Sequence, residues 1–598
     1  VRDLKKEICE TVLPFVQKPG RYIGGELNAV IKDPAAVSGR LLLAFPDVYE
    51  IGMSHFGCKI LYELVNGDPR FCAERAFSPW PDMEKLMRER GIPLYSLENF
   101  SPAGTFDIVG FSLQYELSYT NVLNMLDLSG IPLYAREREG GRWPLIVAGG
   151  PSVFNPEPMA DFIDAFFIGE AEKTLLQFME LVSARRKTTP ARDILAEASR
   201  TIDGIYVPSL YGTAPNKSGY GVVAVPERRT VSFPVEKSVI EDLNAYPSPT
   251  RQIVPFINIV HDRAGIEIMR GCARGCRFCQ AGSVYRPRRY RERARLVREA
   301  QEAIKNTGYQ EISLLSLSTG DYPEIQGLVE DLVAVFDKRK VSLSIPSLRV
   351  DSFSVEVAKK IKEIKKTGFT FACEAGTERL LEVIRKEISF SDLYGAVESA
   401  YRSGWKLIKL YFMIGLPGET YDDIDKIAGI IYKVSEIKKA VDGIPGNVNV
   451  TVSSFVPKPH TPFQWVRMNS MEELKDKQLY LKKKIHGKRF HVKFHEVRKN
   501  VIEAVFSRGD RRLAAVVHAA WQKGARFDDW DEYFNYDLWM GAFRDAAVDH
   551  NRYLEEYDPH DRLPWDIVST GVSDEALKNE YRKALELIND TKPATSNQ

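Results

Sequence analysis

Residues 265–280 read GIEIMRGCARGCRFCQ. The stretch opens as an apolar run of strand type and ends in three cysteines, Cys272, Cys276 and Cys279, in the frame Cys-x3-Cys-x2-Cys. Thiolates on one tight loop can hold an iron-sulfur cluster, and three ligands for four irons leave one iron open to bind something else. An open metal position is where chemistry happens, as the contrast between catalytic and structural zinc sites shows. Zinc is the competing reading of the same thiols, but no clear fourth ligand stands nearby.

Downstream of this loop, strand-like runs alternate with helix-like segments. The runs are EISLLSL, VSLSIPS, FTFACEA, KLIKLYFMIG and NVNVTVSSF, and the helical segments include YPEIQGLVEDLVAVFD and YDDIDKIAGIIYKVSEI. With GIEIMR they predict six βα units, too few for a closed eight-stranded barrel, across residues 260–470. A cysteine loop straight after the first strand is where barrel enzymes place their sites. From residue 471 to 598 the strand signal stops, and a mostly helical C-terminal domain is expected, its charge runs forming solvated faces.

Upstream, RLLLAF, FDIVGFSL, PLIVAGG and DAFFIGE are short apolar runs bounded by Gly, Pro or Asp. They predict a doubly wound, Rossmann-like α/β module within residues 1–199, preceded by a short helix and a Gly-rich turn. Residues 200–259 alternate β-branched and aromatic residues with Gly and Pro and are expected to be a strand-rich connector.

The whole chain sets looser bounds. Its 598 residues suggest three to four domains, and 44% hydrophobic and 27% charged residues with a net charge of +1 describe an ordinary globular enzyme with no general attraction to polyanions. Three of the seven cysteines fall within eight residues, which favours metal binding in a reducing compartment over disulfides. The charged start VRDLKKEICE and the lack of any apolar run of about 18 residues lead to the expectation of a cytoplasmic protein with no membrane partner.

The cysteine frame and its strand context resemble the radical S-adenosylmethionine superfamily over about residues 260–470. The resemblance implies a partial (β/α)6 barrel and a 4Fe-4S cluster on Cys272, Cys276 and Cys279. The open iron would chelate the amino and carboxylate groups of S-adenosylmethionine, whose reduction yields a 5'-deoxyadenosyl radical. It also implies cofactor contacts at Ser318, Gly320 and Asp321 after the second strand, at Ser344 and Glu374 after later strands, and at Phe278 near the adenine. A flavodoxin- or ferredoxin-type electron donor is implied as partner.

Asp47-x-Tyr49-x-x-Gly52, at the end of LLLAFPDVYEIG, has the frame of cobalamin-binding modules with tyrosine in place of the cobalt-ligating histidine. Ser112 after the second strand and Gly149-Gly150 after the third stand where such modules carry a Ser loop and a Gly-Gly turn, and FFIGEAE follows. Residues 40–180 therefore resemble the N-terminal half of cobalamin-dependent radical S-adenosylmethionine enzymes. The segments FSRGDRRLAAVVHAAWQKGARFDDWDEYF and LPWDIVSTGV are similar to a bacterial family of cobalamin-binding radical S-adenosylmethionine proteins. A phenol, with a pKa near 10, is a poor cobalt ligand at neutral pH, so Tyr49 is expected beneath the cobalt without bonding it. His55 is the other candidate, but its spacing does not match the frame.

Other signals are weaker. Cys9, Cys58 and Cys72 fit no compact second cluster, Cys373 is a candidate hydrogen donor or a packing residue, and His460 is a candidate proton-transfer group or a turn-stabilising one. The run YRPRRYRERARLVRE is either a phosphate-contacting face or a solvated helix start. The resemblance implies methylation of an unactivated carbon through methylcobalamin, on a small molecule, RNA or protein. A cobalamin-assisted rearrangement or cyclisation is the alternative within the class, and a cobalamin- or redox-responsive binding protein with a structural cluster is the alternative outside it.

Overall fold

The computed structural model describes residues 3–217, 221–228, 231–345 and 369–590. Six strands form the N-terminal sheet: β1 (Gly39–Phe45), β2 (Phe71–Phe77), β3 (Ile108–Ser112), β4 (Leu145–Gly149), β5 (Ala165–Phe167) and β6 (Ile205–Tyr206). Their order is β2-β1-β3-β4-β5-β6, parallel throughout except for the antiparallel β5–β6 pair. Winding reverses between β1 and β3, and such a switch point opens a crevice beyond the carboxyl ends of those strands.

β2 carries Glu74 and Arg75 inside the sheet, both buried. Each is neutralised in place. Glu74 meets Arg40 at 3.0 Å and the Ser96 hydroxyl at 2.5 Å, and Arg75 meets Glu98 at 2.6 Å and Glu26 at 3.0 Å. Buried charges persist when paired and hydrogen-bonded in this way.

The connector supplies the antiparallel hairpin β7 (Tyr211–Pro215) and β8 (Val222–Pro226), then β9 (Val235–Glu236). The second α/β region begins with β10 (Ala264–Glu267), β11 (Met269–Arg270) and β12 (Arg289–Tyr290), followed by β13 (Glu311–Leu315) and β14 (Ser342–Ser344). β10, β13 and β14 form one parallel sheet. A second parallel sheet holds β15 (Phe369–Glu374), β16 (Leu407–Ile414), β17 (Asn447–Ser454) and β18 (Phe490–Phe494) in that order. The predicted strand VSLSIPS is seen as β14, its last two residues lying outside the described residues.

β18 corrects the expectation that strands end before residue 471. FHVKF alternates large apolar with polar residues, and its pairing with β17 adds a seventh strand to the six anticipated.

The C-terminal region divides between the two sheets. Ile502, Val505, Leu513, Val517, Trp539 and Phe543 join the core of the N-terminal module. The helix Asp574–Asn589 instead buries Leu577, Tyr581 and Ala584 against Leu380, Ile384 and Trp465 of the barrel region. Between them β19 (Val568–Ser569) pairs with β9. No helix among the described residues is long and apolar enough to cross a membrane.

Candidate functional site

The carboxyl ends of both strand systems face one cavity of about 410 Å³. One wall comes from the N-terminal module, with His55, Cys58, Ser112, Gly149 and Gly150 among its residues. The opposite wall is barrel: Glu267 to Gly271 apart from Ile268, Tyr285, and Leu315 to Leu317. Gly150 permits the turn, because its φ is +111° and a Cβ there would lie 2.5 Å from the Leu113 carbonyl oxygen.

The cysteine loop leaves β11 beside that wall. Gly271 makes the exit with φ +87°, and a Cβ would sit 2.5 Å from the Tyr285 carbonyl oxygen. Two arginines inside the loop anchor it. Arg274 pairs with Asp321 beyond β13, and Arg277 donates to the carbonyls of Glu382 (3.0 Å) and Val383 (2.8 Å) and meets Glu580 at 3.1 Å. The Cys279 amide donates to the Cys276 carbonyl at 3.1 Å, tightening the turn. Burial pushes the Cys279 thiol up to about 11, and nearby Cys276 and Cys272 add to it. A bound cation would reverse that by deprotonating the thiols.

Among the described residues no three His, Cys, Asp or Glu side chains converge as ligands of a single metal ion. One zinc needs its ligands gathered at about 2.0–2.3 Å. A cluster places each cysteine on a different iron, so three thiols spread along one tight loop suit a cluster better than a lone ion.

A charge lattice clamps the two walls together. Arg270, next to Gly271, meets Glu267 at 2.9 Å, Glu172 at 2.8 Å and Glu170 at 3.4 Å. Arg289 meets Glu170 at 2.7 Å, and Arg291 meets Glu267 at 3.2 Å. Burial alone would raise the Glu267 carboxyl, but Arg270 and Arg291 outweigh it and hold it below its ordinary range. Three carboxylates thus balance three guanidinium groups across the module boundary. Arg289 and Arg291 belong to the basic run of residues 285–299, and both are buried, so these two arginines are neither a solvated face nor a free phosphate contact.

The residues of the Asp47-Tyr49-Gly52 frame stand away from this cavity. The Tyr49 hydroxyl donates to Glu26 at 2.8 Å, and its ring packs edge-on against Phe77. Asp47 accepts from the indole N–H of Trp530 at 3.0 Å, and a Cβ on Gly52 would meet the Phe77 ring at 2.3 Å. Tyr49, expected beneath a cobalt, thus does not line this cavity. Residues Tyr49–Gly52 form a single helical turn, which directs the phenol into the buried Glu26–Arg75 network.

His55, set aside on spacing, occupies the wall instead. It caps the helix Phe56–Gly67, its Nδ1 accepting the Cys58 amide proton at 3.2 Å. A backbone amide can only donate, so the neutral ring carries its proton on Nε2. Burial holds its pKa down to about 4, which keeps the ring neutral at pH 7. A histidine N-cap before an apolar helix was the available sequence signal.

Ser112 and the Gly149-Gly150 turn do line the cavity, with Gln114 donating to the Ser112 hydroxyl at 2.9 Å. The positions proposed for S-adenosylmethionine do not line it. Ser318, Gly320 and Asp321 follow β13, Ser344 ends β14 and Glu374 ends β15, the last at φ +67° and paired with Lys386 at 3.0 Å. The Ser318 hydroxyl is buried without a hydrogen-bond partner among the described residues. Phe278 packs against the cluster of apolar residues that includes Trp465.

Two weaker candidates take structural positions. Cys373 is fully buried in the apolar core behind β15, where burial raises its thiol. His460 bonds the Phe154 carbonyl oxygen through Nε2 at 2.8 Å, and burial holds its pKa down to about 4.

Residues 266–431 match the model of the radical SAM superfamily, and residues 57–208 match that of the N-terminal region of radical SAM proteins. The chain belongs to the radical S-adenosylmethionine superfamily. The N-terminal match covers β2 to β6 of the N-terminal sheet, and the superfamily match runs from within β10 through β16. The chain is 29% identical to protein MJ0966 of Methanocaldococcus jannaschii over 78% of this chain and 92% of that one. It is 26% identical to "Uncharacterized methyltransferase PH0819" of Pyrococcus horikoshii over 47% of this chain and 56% of that protein. Among solved structures, the radical S-adenosylmethionine methyltransferase TsrM of Kitasatospora setae, bound to cobalamin and a [4Fe-4S] cluster, aligns with TM-score 0.48 and 16% identity over 72% of this chain and 77% of that one.

Proposed function

We propose that this radical S-adenosylmethionine protein is a cobalamin-dependent enzyme that methylates an unactivated carbon, and that cobalamin occupies the cavity between its two modules. The observation that carries this reading is the shared wall. The switch point of the N-terminal sheet and the strand from which the cysteine loop emerges bound the same space. S-adenosylmethionine on the cluster would supply a 5'-deoxyadenosyl radical, and methylcobalamin would supply the methyl group.

The chain's own contribution is placement. Cys272, Cys276 and Cys279 would hold the cluster, while Ser112 and Gly149-Gly150 would admit the corrin side. The six-charge lattice fixes the distance between the modules, as positioning of two reactive centres on one carbon requires. His55, neutral and with Nδ1 engaged by the Cys58 amide, carries its proton on Nε2 beside Gln114, so it would hold that side chain at the cavity wall rather than offer a lone pair to a metal.

Anaerobic reconstitution with cluster and cobalamin, followed by methyl-labelled S-adenosylmethionine and fractionated small molecules, RNA and protein, tests the proposal. Label in one product with 5'-deoxyadenosine formed alongside is the expected result. 5'-Deoxyadenosine without label transfer would replace methylation by rearrangement. Absence of both would leave the binding-protein alternative.

A further inference from the structure

The N-terminal sheet has a second cavity at its other end. It measures about 910 Å³ and lies against Ser38, Asp107, Leu145 and Asp164, the residues at or just before the starts of β1, β3, β4 and β5. That size falls within the roughly 300–1,000 Å³ of small-molecule sites. The methylation reading makes no use of it, since the cluster loop and the interdomain cavity are at the carboxyl ends.

Its lining is rich in guanidinium groups. Seven basic and five acidic side chains face it. Two of the bases are paired internally, Arg138 with Asp164 at 2.8 Å and Arg511 with Glu157 at 3.1 Å, while Asp107 accepts only the neutral Arg40 amide at 2.8 Å and keeps its charge. That leaves Arg136, Arg142, Arg186, Lys187 and Arg192 against Asp107, Glu139, Asp161 and Glu227, an excess of one positive charge.

Three observations identify unused donors in this lining. Arg142, Lys187 and Arg192 make no ion pair with a described residue. Arg186 is partly buried and finds only the Trp143 carbonyl oxygen as a hydrogen-bond acceptor. Arg138 is 5% exposed; its terminal nitrogens meet Asp164 and the Pro132, Leu133 and Phe162 carbonyls, while its Nε has no partner among the described residues. The helix Ala191–Thr201 also begins at the cavity with no side-chain cap, so its first-turn amides and positive dipole end add to the field. Trp143 and Tyr134 supply flat faces beside these charges, with Arg136 stacked 4.7 Å from the Tyr134 ring centre.

We infer that this cavity binds a nucleoside phosphate, its phosphates on Arg142, Arg186 and Arg192 and its base against Trp143 or Tyr134. Guanidinium groups recognise phosphate by paired N–H donors, and they also stack on aromatic faces. Three guanidinium groups, Arg142, Arg186 and Arg192, without an ion pair among the described residues suit a ligand of two or more negative charges.

Titration calorimetry on the full chain with ADP, inorganic pyrophosphate and adenosine tests this. Saturable binding of ADP and pyrophosphate, with adenosine weaker than ADP by tenfold or more, is expected. Arg186→Gln and Arg192→Glu should each weaken ADP at least tenfold, while Arg402→Gln, in an exposed pair with Glu398, should not. Arg192 is exposed, so its variant serves even if Arg186→Gln fails to fold. The Cys276→Ala variant should bind ADP as the unaltered chain does, which separates this site from the proposed methylation. No saturable binding of ADP, equal binding of adenosine, or affinity unchanged in Arg192→Glu would overturn the inference.

Discussion

The two modules present the same kind of surface to one cavity by different means. In the barrel, the cysteines of the motif emerge from the strand end that forms the wall, held by Gly271 and by the Arg274 and Arg277 anchors. In the N-terminal module, the residues of the recognisable frame turn away, and those just after it take their place. The single turn Tyr49–Gly52 accounts for the difference, because it carries Tyr49 into the charged core before the chain returns to the cavity at His55. A motif fixes where a loop is. It does not fix which of its residues face the ligand.

Removing a residue from each side measures how separable the two are. Cys276→Ala should abolish 5'-deoxyadenosine formation while leaving the N-terminal sheet intact, with product analysis and circular dichroism as the two readouts. Retained 5'-deoxyadenosine would show that the barrel does not act through this loop. Arg270→Ala strikes the lattice that joins the modules, leaving Glu172 and Glu267 buried without their shared cation. Breaking a buried pair costs about 3–5 kcal/mol, so denaturant unfolding should shift strongly or divide into two transitions. A shift below 1 kcal/mol would mean that apolar packing and the remaining Arg289–Glu170 pair hold the walls without Arg270.

The next pair of substitutions tests the displaced frame itself. Tyr49→Phe removes a hydrogen bond to the Glu26 carboxylate and should cost about 1.5–3 kcal/mol, leaving the spectrum of added cobalamin unchanged. His55→Ala should cost about 1 kcal/mol for the lost cap but alter that spectrum. The reverse pattern would return Tyr49 to the cofactor. His55 also has a pH signature. Its folded pKa of about 4 lies below the ordinary 6.5, so the folded state binds fewer protons between these values. Stability from this group is complete above 6.5 and is lost as pH falls toward 4, a slope that His55→Ala should remove.

The apolar runs in the sequence were sufficient for β1, β3, β4 and β5 of the N-terminal sheet and for six strands of the two parallel sheets of the second region, and the cysteine spacing was sufficient to locate the loop. The strands β2 and β18 escaped for physical reasons. β2 places Glu74 and Arg75 in its interior, and only their partners Arg40, Ser96, Glu26 and Glu98, distant in sequence, make those charges tolerable there. β18 has only five residues, alternating with His491 and Lys493, and follows a lysine-rich helix. The charge lattice was also hidden, because Glu170 and Arg289 are 119 residues apart and meet only when the modules dock. The quoted segment FFIGEAE contained two of its acids without indicating their partners.

Asp47 carries an effect of similar size to the lost His55 cap, and its sign is the least intuitive. Burial raises its carboxyl to about 6, against hydrogen bonds from the Val48 amide and the Trp530 indole that favour the charged form. Between the ordinary value of 3.8 and 6 the folded state therefore holds a proton that the unfolded state has released. Stability from this group is greatest below 3.8, declines as pH rises through 6, and is lowest above it. Asp47→Asn keeps an oxygen for both donors and removes the buried charge, so it should stabilise the protein at pH 8 by on the order of 1–2 kcal/mol and have little effect below pH 4. Melting curves of the two proteins at pH 8 and at pH 4 give the comparison. A loss of stability at pH 8 would mean that the aspartate charge is used by something bound next to Trp530, which would bring the first residue of the frame back into the function of the N-terminal module.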